Sequence, residues 1–252
     1  MLRTRVIPSL LLQGRGLVKT VKFKDPTYVG DPINAVRIFN DKEVDELVFL
    51  DITATLENRK PQLDLIKDIA TGCFMPFGYG GGIHDVETAR EILRLGSEKV
   101  VINSAAADFK FLREAADNFG SQSVVVSIDV KKARFGKYEV YTHSGTKGTG
   151  LNPVQFARDV ETHGAGEIIL NSIDQDGTMR GYDLDLLHQV TQQVNIPVVA
   201  AGGAGHLEHF QQAVLKGGAS AVAAGSMFVF HGRHRAVLIN YPSQDELKKY
   251  LN

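Results

Sequence analysis

Asp45-Glu46-Leu47-Val48-Phe49-Leu50-Asp51-Ile52 recurs as Gly166-Glu167-Ile168-Ile169-Leu170-Asn171-Ser172-Ile173, with Glu46 and Glu167 lying 121 positions apart. Working outward, Pro76 followed by Gly81-Gly82 returns as Pro197 followed by Gly202-Gly203, again 121 apart. Gly96 to Ser104 returns as Gly218 to Ser226 at an offset of 122. Three near-equal offsets in the same order indicate a duplicated unit. Each copied apolar run is short and is followed by a longer amphipathic stretch, so the unit reads as strand then helix.

The strand-like runs are Arg5–Leu12, Glu46–Ile52, Met75–Tyr79, Lys99–Asn103, Ser123–Val130, Glu167–Ile173, Pro197–Ala201 and Ala221–Gly225. Helix-like segments between them include Pro61–Ala70, Asp85–Leu95, Pro153–His163, Asp183–Val194 and Leu207–Lys216. Eight strand units alternating with helices predict an α/β chain with a parallel sheet that closes on itself. A single (β/α)8 TIM barrel over residues 1–252, made of half-barrels of about 1–120 and 121–252, is the expected fold; the length of 252 residues suits it. Two connections, Gln13–Pro32 and Lys131–Gly150, are too long for turns; the second is expected to hold a hairpin around Phe135-Gly136-Lys137. Both follow strands and so belong to the C-terminal face, where barrel enzymes work.

With 43% hydrophobic and 23% charged residues the chain can bury a large core, which excludes a disordered segment. A net charge of −1 with scattered Lys and Arg argues against nucleic acid or a membrane surface as partner. The single cysteine, Cys73, has no internal partner for a disulfide and fits a reducing cytoplasm. The run Val6 to Leu12 contains Pro8 and Ser9 and reads as a buried strand, not as a signal peptide. No segment approaches the roughly 18 apolar residues that span a bilayer.

The glycine-rich turns Gly80-Gly81-Gly82 and Gly202-Gly203-Ala204-Gly205 each follow a strand and precede a helix. Backbone N–H groups without side chains around them can approach a phosphate, although a tight turn also needs glycine. The next strand ends, Asn103-Ser104 and Gly225-Ser226, sit beside the two turns. Two such places across one mouth suit a small molecule with a phosphate at each end. Asp129 ends a strand and is a candidate general acid or base, or else a capping carboxylate. Asp174 and Asp176 fit a site or a turn. Four charges, Arg5, Glu46, Lys99 and Glu167, open strands at the opposite face and could pair there as a plug or a gate. His206 with His209 and His231 with His234 read as surface residues; the sequence points to no metal site and no cofactor. Neither a Ser–His–Asp arrangement nor a dinucleotide fingerprint is apparent.

The motifs Arg5-Val-Ile-Pro-Ser-Leu10, Asp45-Glu-Leu-Val-Phe-Leu-Asp-Ile-Thr-Ala54, Gly80-Gly-Gly-Ile83, Val101-Ile-Asn-Ser-Ala-Ala106, Tyr141-Thr-His-Ser-Gly145, Asp174-Gln-Asp-Gly-Thr178 and Ala201-Gly-Gly-Ala-Gly205 together resemble the cyclase (HisF-type) subunit of imidazole glycerol phosphate synthase. The likeness runs from Met1 to about Phe230. It implies a glutaminase partner docked at the N-terminal face, releasing ammonia that crosses the barrel to a bisphosphate substrate. It implies gate roles for Arg5, Glu46, Lys99 and Glu167. It also implies phosphate contacts near Gly81, Gly82, Asn103, Ser104, Asp176, Gly177, Gly202, Gly203, Gly225 and Ser226. Asp129 is by the same likeness one of two catalytic aspartates, and Lys19 a lid residue.

The chain departs from that pattern where the first aspartate should stand. Ser9-Leu10-Leu11 aligns with Ser127-Ile128-Asp129, and by strand alternation Leu11 faces inward with Arg5. A leucine transfers no proton, and losing one member of an acid/base pair typically costs roughly 10²–10⁴-fold in rate. Met227-Phe228-Val229-Phe230 stands where the family has a histidine, and His231 to Ser243 replaces the usual tail. Together with Val18-Lys-Thr-Val-Lys-Phe-Lys24, the tail is similar to the glycosyl-amidation (WbuZ-type) branch. That resemblance implies ammonia supply to an ATP-dependent sugar amidotransferase in surface-polysaccharide (LPS/O-antigen) biosynthesis. The alternatives are a true histidine-pathway cyclase (a lyase) that tolerates Leu11, and a sugar-phosphate isomerase of the related two-aspartate type.

Overall fold

The computed structural model describes residues 4–133, 136–232 and 234–251. Among them, eight parallel strands form the barrel: β1 (Arg5–Gln13), β2 (Leu47–Asp51), β3 (Phe77–Gly80), β4 (Lys99–Ile102), β5 (Val124–Lys132), β6 (Glu167–Ser172), β7 (Val198–Ala201) and β8 (Ala221–Ala224). The pairing of β1 with both β8 and β2, and of β5 with β6, closes the sheet on itself. All eight expected strands are present, with ends shifted by up to two residues.

Helices α1 (Pro32–Asp41), α2 (Leu63–Gly72), α3 (Val86–Arg94), α4 (Phe109–Phe119), α5 (Pro153–Thr162), α6 (Leu184–Thr191) and α7 (Leu207–Leu215) return the chain between strands. A short α8 (Ser226–Val229) and a terminal α9 (Gln244–Leu251) complete the outer layer. Local chemistry fixes where these helices begin. Asp31 caps α1 and Asn152 caps α5, each followed by proline, which cannot use the N–H that a first-turn residue leaves unpaired anyway. Asp85, Asp108 and Asp183 cap α3, α4 and α6 by accepting a backbone N–H three residues on.

Strand alternation sorts the core into two layers. Val6, Leu10, Phe49 and Val126 face outward and pack beneath the helices with Phe39, Ile66 and Phe210. Ile7, Val48, Val101, Val125, Ile169, Val199, Ala221 and Ala223 point inward and fill the middle of the barrel. Each fully buried large apolar side chain contributes about 1.5–3 kcal/mol relative to exposure. This double-sided burial explains the continuous apolar runs of the sequence.

The two long connections are not plain loops. The expected loop Gln13–Pro32 folds as a hairpin of Gly16–Val21 with Lys24–Gly30, and its first strand also pairs antiparallel with the end of β1. In the second connection, β5 runs on to Lys132 and pairs with Tyr138–Thr142, which in turn pairs with Lys147–Gly148. Phe135, at the tip expected for that hairpin, lies outside the described residues. Among the described residues no helix is long and apolar enough to cross a membrane.

Candidate functional site

The inward rows of the strands carry different chemistry at the two ends of the barrel. At the start of the strands, Arg5, Glu46, Lys99 and Glu167 converge. Arg5 donates to Glu46 Oε2 through Nη1 and to Glu167 Oε1 through Nη2. Lys99 Nζ donates to the other oxygen of each acid, at 2.8 Å to Glu46 and 2.7 Å to Glu167. The result is a closed ring of alternating charge. Both acids are buried, whereas the Arg5 side chain keeps 33% of its exposure and Lys99 18%.

At the opposite end, one pocket is lined by Leu11, Lys19, Gly81, Gly82, Asn103, Ser104 and Asp129 from the first five strand units. Asp176, Gly177, Gly202, Gly203, Gly225 and Ser226 line it from the others. All the phosphate-contact candidates of the sequence thus reach the same cavity together with Leu11, Lys19 and Asp129, whereas Asp174 does not. Gly81 and Gly82 have φ of +116° and +71°, and Gly202 and Gly203 +82° and +113°. A side chain at Gly81 would collide with the Asp51 carbonyl, and one at Gly203 with the Gly181 carbonyl. These positions need glycine for backbone geometry and close approach together.

Asp129 is buried on the inner face of β5. Asn171 Nδ2 donates to its Oδ1 at 3.3 Å and Asn103 Nδ2 to its Oδ2 at 3.1 Å. Burial pushes the carboxyl up to about 7; the Asn171 hydrogen bond works against this, the Asp176 charge adds to it, and Asn103 opposes it. Lys19 is buried as well and donates through Nζ to the Ser9 carbonyl. Burial pulls its ammonium down to about 8, against the favourable charge of Asp176. Asp176 itself is raised by burial, with Lys19, the Thr20 hydroxyl and the Phe23 N–H opposing the rise.

Leu11 faces this pocket beside Leu50, its register partner across β1 and β2. Asp129 has Asn171 as register partner across β5 and β6. The two corners related by the repeat therefore differ: one is apolar, the other carries the acid and its amide.

Two hairpin tips cover the mouth. Lys22 and Phe23 turn with φ of +54° and +62°, and His143 and Ser144 with +53° each. The tips touch: a Cβ on Gly145 would fall 2.7 Å from the Phe23 ring. The first hairpin is fastened to the second half, Lys22 N–H donating to Asp176 O at 2.9 Å and Thr20 Oγ1 to Asp176 Oδ2 at 3.1 Å. The second is fastened to the first half, His143 N–H donating to Ser104 Oγ at 3.0 Å and Ser144 Oγ to Ile52 O at 2.6 Å.

Other residues sort outside the pocket. Asp174 accepts from Lys132 N–H at 2.9 Å and serves the turn. His206 precedes α7 without capping it, and His209 Nδ1 accepts from Gly205 N–H at 3.1 Å. His231 and His234 are exposed. Phe228 and Val229 are buried in the outer core. Sequence reasoning passed over Asn171, Thr20 and Ser144, which line the pocket, and Asp51 beside them. The Asp51 carboxylate, with no exposed side chain, accepts from Thr53 N–H, Ala54 N–H and Arg59 and so pins the loop after β2. The repeat held a signal for it, since Asp51 aligns with Ser172 beside the second glycine turn.

Comparison with known proteins gives the chain a family. The chain is 54% identical over 248 residues to a Pseudomonas aeruginosa protein provisionally named imidazole glycerol phosphate synthase subunit hisF2, covering 98% of this chain and 99% of the relative. It is 51% identical over 245 residues to a provisionally named HisF subunit of the same synthase from Leptospira borgpetersenii, covering 96% of each. It is 50% identical over 253 residues to a provisionally named subunit hisF3 from Vibrio vulnificus, covering 100% of this chain and 97% of the relative. Residues 5–235 match the histidine biosynthesis protein family, and the chain belongs to that family.

Proposed function

We propose that this chain is a HisF-like barrel subunit that pairs with a glutaminase through its N-terminal face and conducts ammonia to the pocket at its other end. In this reading the chain is two duplicated half-barrels, of about residues 1–120 and 121–252, and works in the cytoplasm. The observation that carries it is the Arg5–Glu46–Lys99–Glu167 ring closing one end of an apolar column that leads to the pocket. Neutral ammonia passes an apolar column at little cost, whereas ammonium would leave its hydration shell behind. A charged ring at the entrance admits the base only when a bound partner parts the ion pairs. Gly81, Gly82, Asn103 and Ser104 at one end of the pocket, and Asp176, Gly177, Gly202, Gly203, Gly225 and Ser226 at the other, grip the phosphates of a small ligand. No cofactor or metal is invoked.

The destination of the nitrogen follows from Leu11. With Leu11 where a second carboxylate would face Asp129, the pocket lacks half of that acid/base pair, so in this reading the ammonia serves another enzyme: an ATP-dependent sugar amidotransferase that converts an acetamido sugar in surface-polysaccharide synthesis. Mixing the purified barrel with the glutaminase encoded beside it tests the pairing. Glutamine hydrolysis is expected to rise, and an unchanged rate at saturating barrel would overturn the proposal.

The cyclase alternative draws support from the names of the relatives and from the intact phosphate-facing loops. It requires turnover of the histidine-pathway bisphosphate with ammonium salt by the unmodified chain.

A further inference from the structure

The segment after β8 leaves the barrel and forms a small sheet of its own, in which Phe230–His231 pairs antiparallel with Ala236–Val237. The pairing runs on past that strand, Leu238 N–H donating to Val229 O and Asn240 N–H to Phe228 O, each at 2.9 Å. Alternation in such a ladder turns the N–H and C=O groups of Val237 and Ile239 the other way. Among the described residues these four groups meet no partner. Val237 is 49% exposed and Leu238 55%. Val21, exposed as well, adjoins them, because Gly177 lies against Val21 Cα and accepts from Arg235 Nη1 at 3.3 Å.

Proteins blunt an exposed edge strand with a lysine, a proline or a bulge, or else they cover it. Residues 236–241 hold no charge and no proline. Arg235, just before them, is turned back over the Phe230 ring at 4.4 Å. With no charge of its own, the edge has nothing to select a partner of opposite charge, whereas its register suits a copy of itself.

We infer that this edge is the interface of a homodimer, in which a second copy of the chain adds its own residues 236–240 antiparallel about a two-fold axis through Leu238. Val237 of each copy exchanges two hydrogen bonds with Ile239 of the other, and the two Leu238 side chains meet at the axis. This centre uses all four outward groups of each copy. Arg235 comes level with Tyr241 of the second copy, so the two arginines stand about 20 Å apart along the strands, beyond the screening length of about 8 Å. The hairpin lies at the C-terminal end of the barrel, so a second barrel here and a glutaminase at the other end do not compete.

Sedimentation velocity of the full chain tests the dimer. An edge this short makes a weak one, so the mass is expected to rise from 27.6 kDa toward twice that value between about 10 and 1,000 µM. Leu238→Lys sets two ammonium groups face to face and is expected to keep the chain monomeric throughout. Leu238→Cys, combined with Cys73→Ser to remove the single native cysteine, reads the geometry directly. Residues opposed at the axis lie about 4.5 Å apart at Cα, and a disulfide between copies is expected on mild oxidation. Ala236→Cys in the same background is expected to stay unlinked, its two copies lying about 14 Å apart. A chain that stays at 27.6 kDa throughout, a dimer untouched by Leu238→Lys, or equal crosslinking at both positions overturns the inference. None of these outcomes bears on glutaminase activation, which is measured separately.

Discussion

Glu46 and Glu167 are tied together twice, once through the Arg5 guanidinium and once through the Lys99 ammonium. Removing one cation leaves each acid with the other. Breaking a fully buried pair costs about 3–5 kcal/mol, but Arg5 is a third exposed and water compensates part of its loss. Arg5→Ala is therefore expected to cost about 1–2 kcal/mol in denaturant unfolding, with Lys99→Met costing more. The double variant leaves two buried carboxylates without these cations, and its cost is expected to exceed the sum of the single ones. A strictly additive result would show that the ring does not act as a unit.

The Leu11 corner predicts a trade between stability and reactivity. Leu11→Asp places a carboxylate beside Leu50, and burying it without a partner is expected to cost about 1–3 kcal/mol. The same variant regains a second acid facing Asp129. Turnover of the histidine-pathway bisphosphate with ammonium salt is expected to be undetectable in the unmodified chain and measurable in the variant. Ready turnover by the unmodified chain would favour the cyclase alternative.

Asp129 gives the stability curve a defined slope. Its ordinary value is 3.8 and burial lifts it to about 7 in the folded chain. Between about pH 4 and 7 the native state keeps a proton that the unfolded state releases, so this group makes the protein less stable as pH rises. Below that window both states are protonated, and above it the loss is complete. Asp129→Asn is expected to gain stability over the unmodified chain progressively across the window and then level off. A constant difference from pH 4 to 8 in thermal unfolding would contradict it.

Lys19 titrates in the opposite sense. Its charged form persists up to about pH 8, whereas Asp129 is ionised above about pH 7. Any reaction that uses a cationic Lys19 and a carboxylate at Asp129 is expected to show a bell-shaped rate profile with its maximum between the two. Lys19→Met is expected to remove the alkaline limb alone.

Gly203 tests the glycine turns. At φ of +113° and against the Gly181 carbonyl, a Cβ has no room. Gly203→Ala is expected to lose about 2–4 kcal/mol of stability, together with affinity for inorganic phosphate. Gly14, at φ of +56° with open space around its Cβ position, is the control for backbone strain alone.

The barrel was legible because its strands obey one rule twice over: both faces are buried, and the second half repeats the first at Glu46 and Glu167, Pro76 and Pro197. The hairpin over residues 16–30 was not legible. Its turn places Lys22 and Phe23 in the left-handed region, where Asn-Gly or Asp-Gly would have announced it. Asn171 escaped notice because an asparagine in an apolar run gives no hint of which acid it will meet. The role of Asp51 depends on Arg59, which only the fold brings to it.

The crossing of the two hairpin tips separates how tightly a ligand is held from how quickly it exchanges. Phe23 and Gly145 meet above the cavity, and each tip is bolted to the half from which it does not come. Under the proposed function, a ligand entering or leaving the pocket waits for bonds such as Ser144 to Ile52 to part. Loosening that latch quickens arrival and departure alike and leaves the equilibrium constant nearly untouched. On that reading, residence time in this barrel is set at its rim, where Phe23 and Ser144 close over the cavity they line.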